Sequence, residues 1–246
     1  MRDYSIETIK RVEFIREALD AAGAQGIVYG NSGGKDCALV GILCKMACAN
    51  TVGIVMPCGS RRNYSEDLID AKKIADQFEI ETRIIDLGSV AQEIRRAVGE
   101  ATQISDAAAS NFAPRLRMMS LYAVAASEGR LVAGTGNRSE IFMGYFTKWG
   151  DGAYDFNPIA DLTVSEVYEF LRHLGAPLAI IEKAPSAGLF EGQTDEGDMG
   201  VSYGAIDEFL LRGVCGAEDL GIIKRFHDAS EHKRMMPKVF GDTSRI

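Results

Sequence analysis

The chain of 246 residues has no apolar run near the roughly 20 residues needed for a membrane-spanning helix. Its first residues, Met1 to Phe14, carry charges where a secretory signal would place its apolar stretch, so export is not expected. Prolines number six and are scattered, aromatic residues make up 8% with one tryptophan, and no repeat, low-complexity tract or linker-like stretch is present. These scarcities exclude collagenous, mucin-like and disordered classes. The five cysteines, Cys37, Cys44, Cys48, Cys58 and Cys215, are odd in number and contain no C-x-x-C pair for zinc or redox work. Free thiols fit a reducing, cytoplasmic setting, and Cys44 and Cys48, on one helix face, read as small hydrophobes. The three histidines, His173, His227 and His232, form no triad or metal cluster, and His173 reads as structural. Acidic residues outnumber basic ones 35 to 27, for a net charge of −8, so general nucleic-acid binding is not expected.

What is present is enough for one well-filled core, with 46% apolar and 25% charged residues. Apolar spacing predicts a helix over residues 4–22, with Val12, Ile15, Leu19 and Ala22 on one face. A buried strand follows at Gly26–Tyr29, then a helix carrying Leu39, Ile42, Leu43 and Met46, and a second strand at Val52–Met56. A helix from about Glu66 to Phe78 leads to a third strand, Thr82–Leu87. Leu116, Met119, Ala123 and Ala126 mark another helix before a fourth strand, Leu131–Ala133. Beyond it the chain is helical and loop-rich, with Val164, Val167, Leu171 and Leu174 facing one way. Short apolar runs separated by helical crossovers predict an α/β fold with a parallel, Rossmann-like sheet. Ligands of such sheets gather outside the carboxyl ends of the strands, and the informative residues follow the first and fourth strands.

Gly30-Asn31-Ser32-Gly33-Gly34-Lys35-Asp36-Cys37 leaves the first strand and opens a helix. Adjacent glycines let backbone N–H groups face a ligand, Ser32 adds a hydroxyl, and the helix N-terminus favours an anion. The Walker A spacing and G-x-G-x-x-G are both absent. Two readings of Lys35 stand open: it reaches phosphate, or it is a solvated surface lysine. After the fourth strand comes Gly134-Thr135-Gly136-Asn137-Arg138-Ser139-Glu140. Here too two readings stand open. Asn137 and Glu140 can form a helix N-terminal capping pair, or Glu140 can join Asp36 on one Mg²⁺, which prefers a few carboxylates plus phosphate oxygens.

The loop after the first strand resembles the Ser-Gly-Gly-x-Asp-Ser signature of the PP-loop ATP pyrophosphatases. Further segments are more specific. They are Pro114-Arg115-Leu116-Arg117-Met118, Gly144 to Gly152 (GYFTKWGDG), Asp155-Phe156-Asn157-Pro158, Lys183 to Leu189 (KAPSAGL), Gly192 to Glu196 (GQTDE) and Glu231-His232-Lys233-Arg234. In this order, over roughly residues 5 to 240, they resemble the ammonia-dependent NAD⁺ synthetases.

The resemblance implies ATP-dependent amidation of deamido-NAD⁺ with ammonia, giving NAD⁺, AMP and pyrophosphate through an adenylylated intermediate. It implies that Gly30, Asn31, Ser32, Gly33, Gly34, Lys35, Asp36, Cys37, Thr135 and Ser186 contact ATP, and that Asp36 and Glu140 hold Mg²⁺. Arg117, Lys148, Asp155, His232 and Lys233 match contacts to the dinucleotide, and Lys148 joins Asp36 and Glu140 in the catalytic set. The loop from Ala187 to Gly197 reads as a lid that orders on binding. A homodimer is implied, with ammonia taken free or from a separate partner. The expected organisation is one synthetase domain over residues 1–246, without a glutaminase domain, cytoplasmic, and binding neither nucleic acid nor membrane. Two positions depart from the family pattern. Cys37 replaces a serine, and a thiol is the weaker donor. Val164 stands where relatives commonly place a lysine, for which Lys35 or Lys183 is a candidate substitute. A carboxylate that accepts the proton of NH₄⁺ is expected at Asp151 or Asp155.

Overall fold

The computed structural model describes residues 2–59, 64–183 and 194–241. Helix α1 (Tyr4–Ala22) starts at Asp3, whose carboxylate accepts from the N–H groups of Ser5 and Ile6, and ends at Gly23 in the left-handed region. Strand β1 (Gly26–Gly30), helix α2 (Lys35–Ala47), strand β2 (Thr51–Val55), helix α3 (Glu66–Gln77) and strand β3 (Glu81–Ile84) follow. Then come α4 (Gly88–Ala101), α5 (Asp106–Ser110), α6 (Phe112–Glu128) and strand β4 (Arg130–Ala133). The rest is helical: α7 (Arg138–Met143), α8 (Val164–His173), α9 (Leu178–Ile181), α10 (Asp195–Met199), α11 (Tyr203–Arg212), α12 (Ala217–Ala229) and α13 (Glu231–Arg234).

The strands form a parallel sheet in the order β3-β2-β1-β4. Alternation along β1 sends Ile27 and Tyr29 to one face and Val28 to the other. The first face packs on α1, α2 and α8 through Ile15, Leu39, Leu43 and Phe170, and the second on Leu116 and Ala125 of α6. A third apolar cluster, with Met143, Val164, Met199, Tyr203 and Ile223, joins α7 and α8 to the C-terminal helices. Buried Asp207 of α11 ties this group to the sheet side, accepting from Ser139 Oγ of α7 (2.6 Å) and from Ser165 Oγ of α8 (2.6 Å). Because the chain crosses from β3 to place β4 against β1 on the side opposite β2, the loops after β1 and β4 lie side by side at the strand ends.

Several expectations are corrected. Strand β2 begins one residue earlier than predicted. Regular β3 pairing stops at Ile84, although Ile85 and Leu87 still donate to the carbonyls of Val55 and Pro57. Helix α4 was not foreseen; it carries apolar residues, but none of its residues is buried. The face of α6 that meets the sheet carries Pro114, Leu116 and Ala125, whereas Met119, Ala123 and Ala126 face outward. Alanines on both sides of α6 blur the apolar stripe. Met46 is also exposed, while Cys44 is buried and Cys48 partly so, in the same cluster as α2. The ring of His173 lies tilted against those of Tyr4 and Phe170, at 6.1 and 6.4 Å between centroids.

The contact between α2 and the sheet is close enough to forbid a side chain. A Cβ on Gly41 would lie 2.3 Å from the Tyr29 hydroxyl, and one on Gly53 of β2 would lie 3.0 Å from it. That hydroxyl is buried without a hydrogen-bond partner among the described residues. Alanine would normally improve an interior helix position by roughly 1 kcal/mol. At Gly41 the overlap outweighs it, so Gly41→Ala is expected to lower the unfolding free energy by about 1–3 kcal/mol. Tyr29→Phe, which removes an unpaired polar atom, is expected to be neutral or stabilising. Urea titrations of both variants measure this; a Gly41→Ala midpoint at or above wild type contradicts the packing.

Candidate active site

The loop after β1 is shaped by its own side chains. Asn31 is buried, donates to the carbonyl of Ala71 on α3 (3.2 Å) and accepts from the N–H of Gly33 (3.2 Å). Gly33 has φ +71°, and a Cβ there would stand 2.6 Å from the Asp67 carbonyl, so only glycine is free of strain. Gly34 caps α2 without a side chain, so no side chain competes for the first N–H groups of that helix. Cys37 is buried, and its thiol donates to the Gly34 carbonyl (3.1 Å) and meets Ser32 Oγ at 3.3 Å. Burial pushes this thiol up, so Cys37 holds the loop as a protonated thiol.

Asp36 and Glu140 come together here, and Asn137 joins them. Asn137 is fully buried. Its amide donates to Asp36 Oδ1 (3.1 Å), and its carbonyl oxygen accepts from the Glu140 N–H (3.0 Å). Glu140 Oε2 completes the capping box on the Asn137 N–H (3.2 Å). Its other oxygen, Oε1, is 3.9 Å from the ammonium of Lys35, which lies 2.7 Å from Asp36 Oδ2. The two readings of Glu140 are therefore compatible: one oxygen caps α7, and the other faces the Lys35 ammonium that also meets Asp36. Burial first, and then the charge of Asp36, raise the Glu140 acid well above the ordinary range, although 18% of its side-chain surface stays accessible. Lys35 is buried as well, so the solvated-lysine reading is set aside. Two carboxylates aimed at one cationic point are hard oxygen donors of the kind that hold Mg²⁺ together with phosphate. Among the described residues no group of three or more His, Cys, Asp or Glu side chains is arranged for a metal.

The pair opens into a cavity of about 1160 Å³ that also reaches Thr135, Arg117, Asp151, Lys183 and Lys233. Arg117 donates to the Met56 carbonyl (3.1 Å), and burial lowers its pKa. Asp151 accepts from the Thr147 N–H (2.9 Å); burial raises its pKa against the pull of Lys233 and Arg117. Lys233 Nζ donates to the carbonyls of Gly144 and Phe146, both at 2.8 Å, and burial lowers its pKa. Lys183 bridges Asp67 (3.0 Å) and Asp70 (2.9 Å) of α3.

Four expected residues do not reach the cavity wall: Gly33, which packs against Asp67 and Ala71 of α3, and Lys148, His232 and Asp155. Lys148 donates to the His232 carbonyl and lies 5.3 Å from the Trp149 ring. His232 is exposed. Asp155 accepts from the Val132 N–H (2.7 Å) and from the Tyr122 hydroxyl (3.2 Å), closing the open edge of β4. Ser186 and most of the expected lid lie outside the described residues; Asp195 to Gly197 open helix α10. Val164 is buried in the apolar cluster of the C-terminal helices. Sequence reasoning missed Asp195, a buried acid on the cavity wall that accepts from the Tyr203 hydroxyl (3.1 Å) and whose charge helps to raise Glu140. It also missed Asn137 as the bridge between the two carboxylates. Asn137 carries no local signal beyond its capping position, and Asp195 none beyond its place in the Gly192 to Glu196 segment.

The family model described as NAD synthase matches residues 7–237. A curated relative, the NH₃-dependent NAD⁺ synthetase of Carboxydothermus hydrogenoformans, is 46% identical over 236 residues, covering 95% of this chain and 96% of the relative. Among solved structures, the NMN synthetase of Francisella tularensis superposes with a TM-score of 0.91 at 36% identity, covering 97% of this chain and 99% of that one. The NH₃-dependent NAD synthetase of Campylobacter jejuni, solved with a nitrate ion, gives 0.80 at 30% identity, covering 98% and 100%. The glycine-bearing loop after β1, the carboxylate pair at the point where the strand order reverses, and near full-length likeness agree, and the chain belongs to the NAD synthase family.

Proposed function

We propose that this chain is an ammonia-dependent NAD⁺ synthetase, a ligase that amidates deamido-NAD⁺ at the expense of ATP and releases AMP and pyrophosphate. The observation that carries this reading is the convergence of Asp36 and Glu140 beside the Ser32–Gly34 loop, within a chain 46% identical to a synthetase of that name. A nicotinic acid carboxylate is a poor electrophile, and hydroxide is a poor leaving group. The carboxylate oxygen first attacks the α-phosphorus of ATP, and pyrophosphate leaves. Ammonia then attacks the acyl carbon, AMP leaves, and the surplus proton must be taken up.

The loop N–H groups and the N-terminus of α2 receive the phosphates, with Ser32 and Thr135 adding hydroxyls at the cavity wall. Asp36 and Glu140 would hold Mg²⁺, which when bound offsets the charge growing on the phosphate oxygens. Arg117 and Lys233 face the cavity as the cations for the acidic substrate, and Lys148 and His232 support Lys233 by tying the 144–152 segment to the C-terminal helices. Asp151 is favoured over Asp155 as the proton acceptor, because it lines the cavity and its raised pKa suits a base for ammonium. The thiol of Cys37 needs no part in bond making, since AMP passes to the substrate. Ammonia arrives free or from a separate protein, the chain acting as one synthetase domain in the cytoplasm. No helix among the described residues is long and apolar enough to cross a membrane.

A second reading is favoured by one observation. The Francisella structure, named as an NMN synthetase, superposes with a higher TM-score than the Campylobacter NAD synthetase, 0.91 against 0.80. The corresponding substrate would be nicotinate mononucleotide. The two are separated by chromatography of products from parallel reactions with ATP, ammonium and either deamido-NAD⁺ or nicotinate mononucleotide. Deamido-NAD⁺ is expected to turn over faster, with one pyrophosphate released per amide formed. Amidation of the mononucleotide alone would establish the second reading.

The metal assignment predicts that Asp36→Asn and Glu140→Gln each slow pyrophosphate release by roughly 10²–10³-fold. Circular dichroism should show the fold retained. Near-normal rates at limiting Mg²⁺ would remove the shared-metal reading.

The assembly we propose is a homodimer closed through α4 and α6. No residue of α4 is buried, yet Val90, Ile94 and, on the neighbouring elements, Ile84 and Met119 present apolar surface to solvent. Sedimentation equilibrium should find a dimer, and Ile94→Glu should give a folded monomer. A monomeric wild type at micromolar concentration would overturn this.

A further inference from the structure

Lys35 stands at the variable position of the loop after β1, and only 6% of its side chain is exposed. Its ammonium lies 2.7 Å from Asp36 Oδ2 and 3.9 Å from Glu140 Oε1, with the rings of Tyr203 and Tyr168 at 5.6 and 6.0 Å. A buried ammonium is tolerated only when it is paired. The dependence runs both ways. Asp195 brings a third negative charge to the same wall, so without Lys35 the acids would repel one another in a low-dielectric pocket.

Asp36 and Glu140 are also the two carboxylates that would hold the divalent ion. The Lys35 ammonium already lies against an oxygen of each, and a divalent ion placed on the same oxygens would be repelled by it. We propose that Lys35 is the resident counter-ion of this metal site. Its ammonium neutralises Asp36 and Glu140 before the metal arrives, withdraws when the divalent ion binds, and is then available to the triphosphate that comes with the metal. The flexible four-carbon stem allows the swing, and Ser32 and Gly34 lie on the same cavity wall as Lys35. A site built this way takes up metal weakly on its own and strongly with nucleotide, because only the nucleotide offers the displaced ammonium a new partner. The inference deepens the metal reading given above and rests on it.

The test is Mn²⁺ titration of the nucleotide-free protein, followed by electron paramagnetic resonance, with thermal unfolding in EDTA and in Mg²⁺ as a second readout. Lys35→Met is expected to bind Mn²⁺ at least about tenfold more tightly than wild type. It should melt lower than wild type in EDTA and recover in Mg²⁺, whereas the wild-type melting temperature should change little between the two. Lys35→Arg, which keeps the charge, should retain the weak Mn²⁺ binding. Lys35→Gln repeats the measurement should the methionine variant not fold. Mn²⁺ affinity in Lys35→Met equal to or below that of wild type, including no measurable binding, would overturn the counter-ion role. The metal reading fails separately: Mn²⁺ binding that Asp36→Asn leaves unchanged in every background would place the ion elsewhere.

Discussion

The site depends on one buried side chain, that of Asn137, whose amide spans from the loop after β4 to the loop after β1. Its Nδ2 reaches Asp36 Oδ1 at 3.1 Å, while its Oδ1 and backbone N–H are engaged with Glu140. Residues 101 positions apart are thereby fixed relative to each other by a group that cannot turn to water, since Asn137 is fully buried. The strand order makes this possible. With β1 between β2 and β4, the two loops are neighbours, and one amide suffices to couple them. A capping residue thus does two things at once: it starts α7, and it orients both carboxylates of the pair.

An acidic chain with a net charge of −8 that receives ATP and an acidic nucleotide has to concentrate its cations. The cavity carries several, and the described structure pairs them internally: Lys35 with Asp36, Lys183 with Asp67 and Asp70, Lys233 with two carbonyls, and Arg117 with the Met56 carbonyl. Each is held in place before a ligand enters, which limits the side-chain entropy lost on binding. Lys233 differs from Lys35 in kind. Carbonyl oxygens hold it, Asp151 offsets its burial only in part and its pKa is lowered, so a phosphate or carboxylate would gain more from it than from a lysine paired directly with an acid.

The fold class and the loop after β1 were legible because both depend on local rules. Parallel strands read as short apolar runs, and the anion loop is written in consecutive residues, Ser32 to Asp36. Boundaries are sharpest where caps are explicit, as at Thr163 and Glu166, whose capping box opens α8. The reading failed where the decisive partner is remote. The outward face of α6 carries Met119 and alanines that look like core, and nothing local says that the sheet lies on the other side. Asp155 shows the same limit at the site. Its motif suggests a ligand contact, but one oxygen takes the N–H of Val132 across the sheet edge, which only the packed structure reveals. Lys35 misled in the opposite direction, because burial of a lysine depends on carboxylates that the sequence does not place beside it.

The variable position of the loop is where the local rules are least restrictive, and so where the chain's individuality is concentrated. Gly33 is fixed by its backbone angle and Asp36 by its partners, whereas residue 35 is the first of α2, a place that any helix-compatible side chain can fill. Filling it with lysine sets a cation in the helix's first turn, where the macrodipole disfavours positive charge. Two carboxylates more than compensate, and the same dipole that opposes Lys35 supports Asp36 beside it. The energetic balance is therefore internal to the loop. It holds while Asp36 and Glu140 face the ammonium, and it shifts when a stronger cation takes their oxygens. Glu140 is constrained differently, since its capping oxygen stays on the Asn137 N–H whatever its other oxygen meets. That division of work leaves Oε1 alone to change partners, so the carboxylate can respond to a ligand without unwinding the first turn of α7.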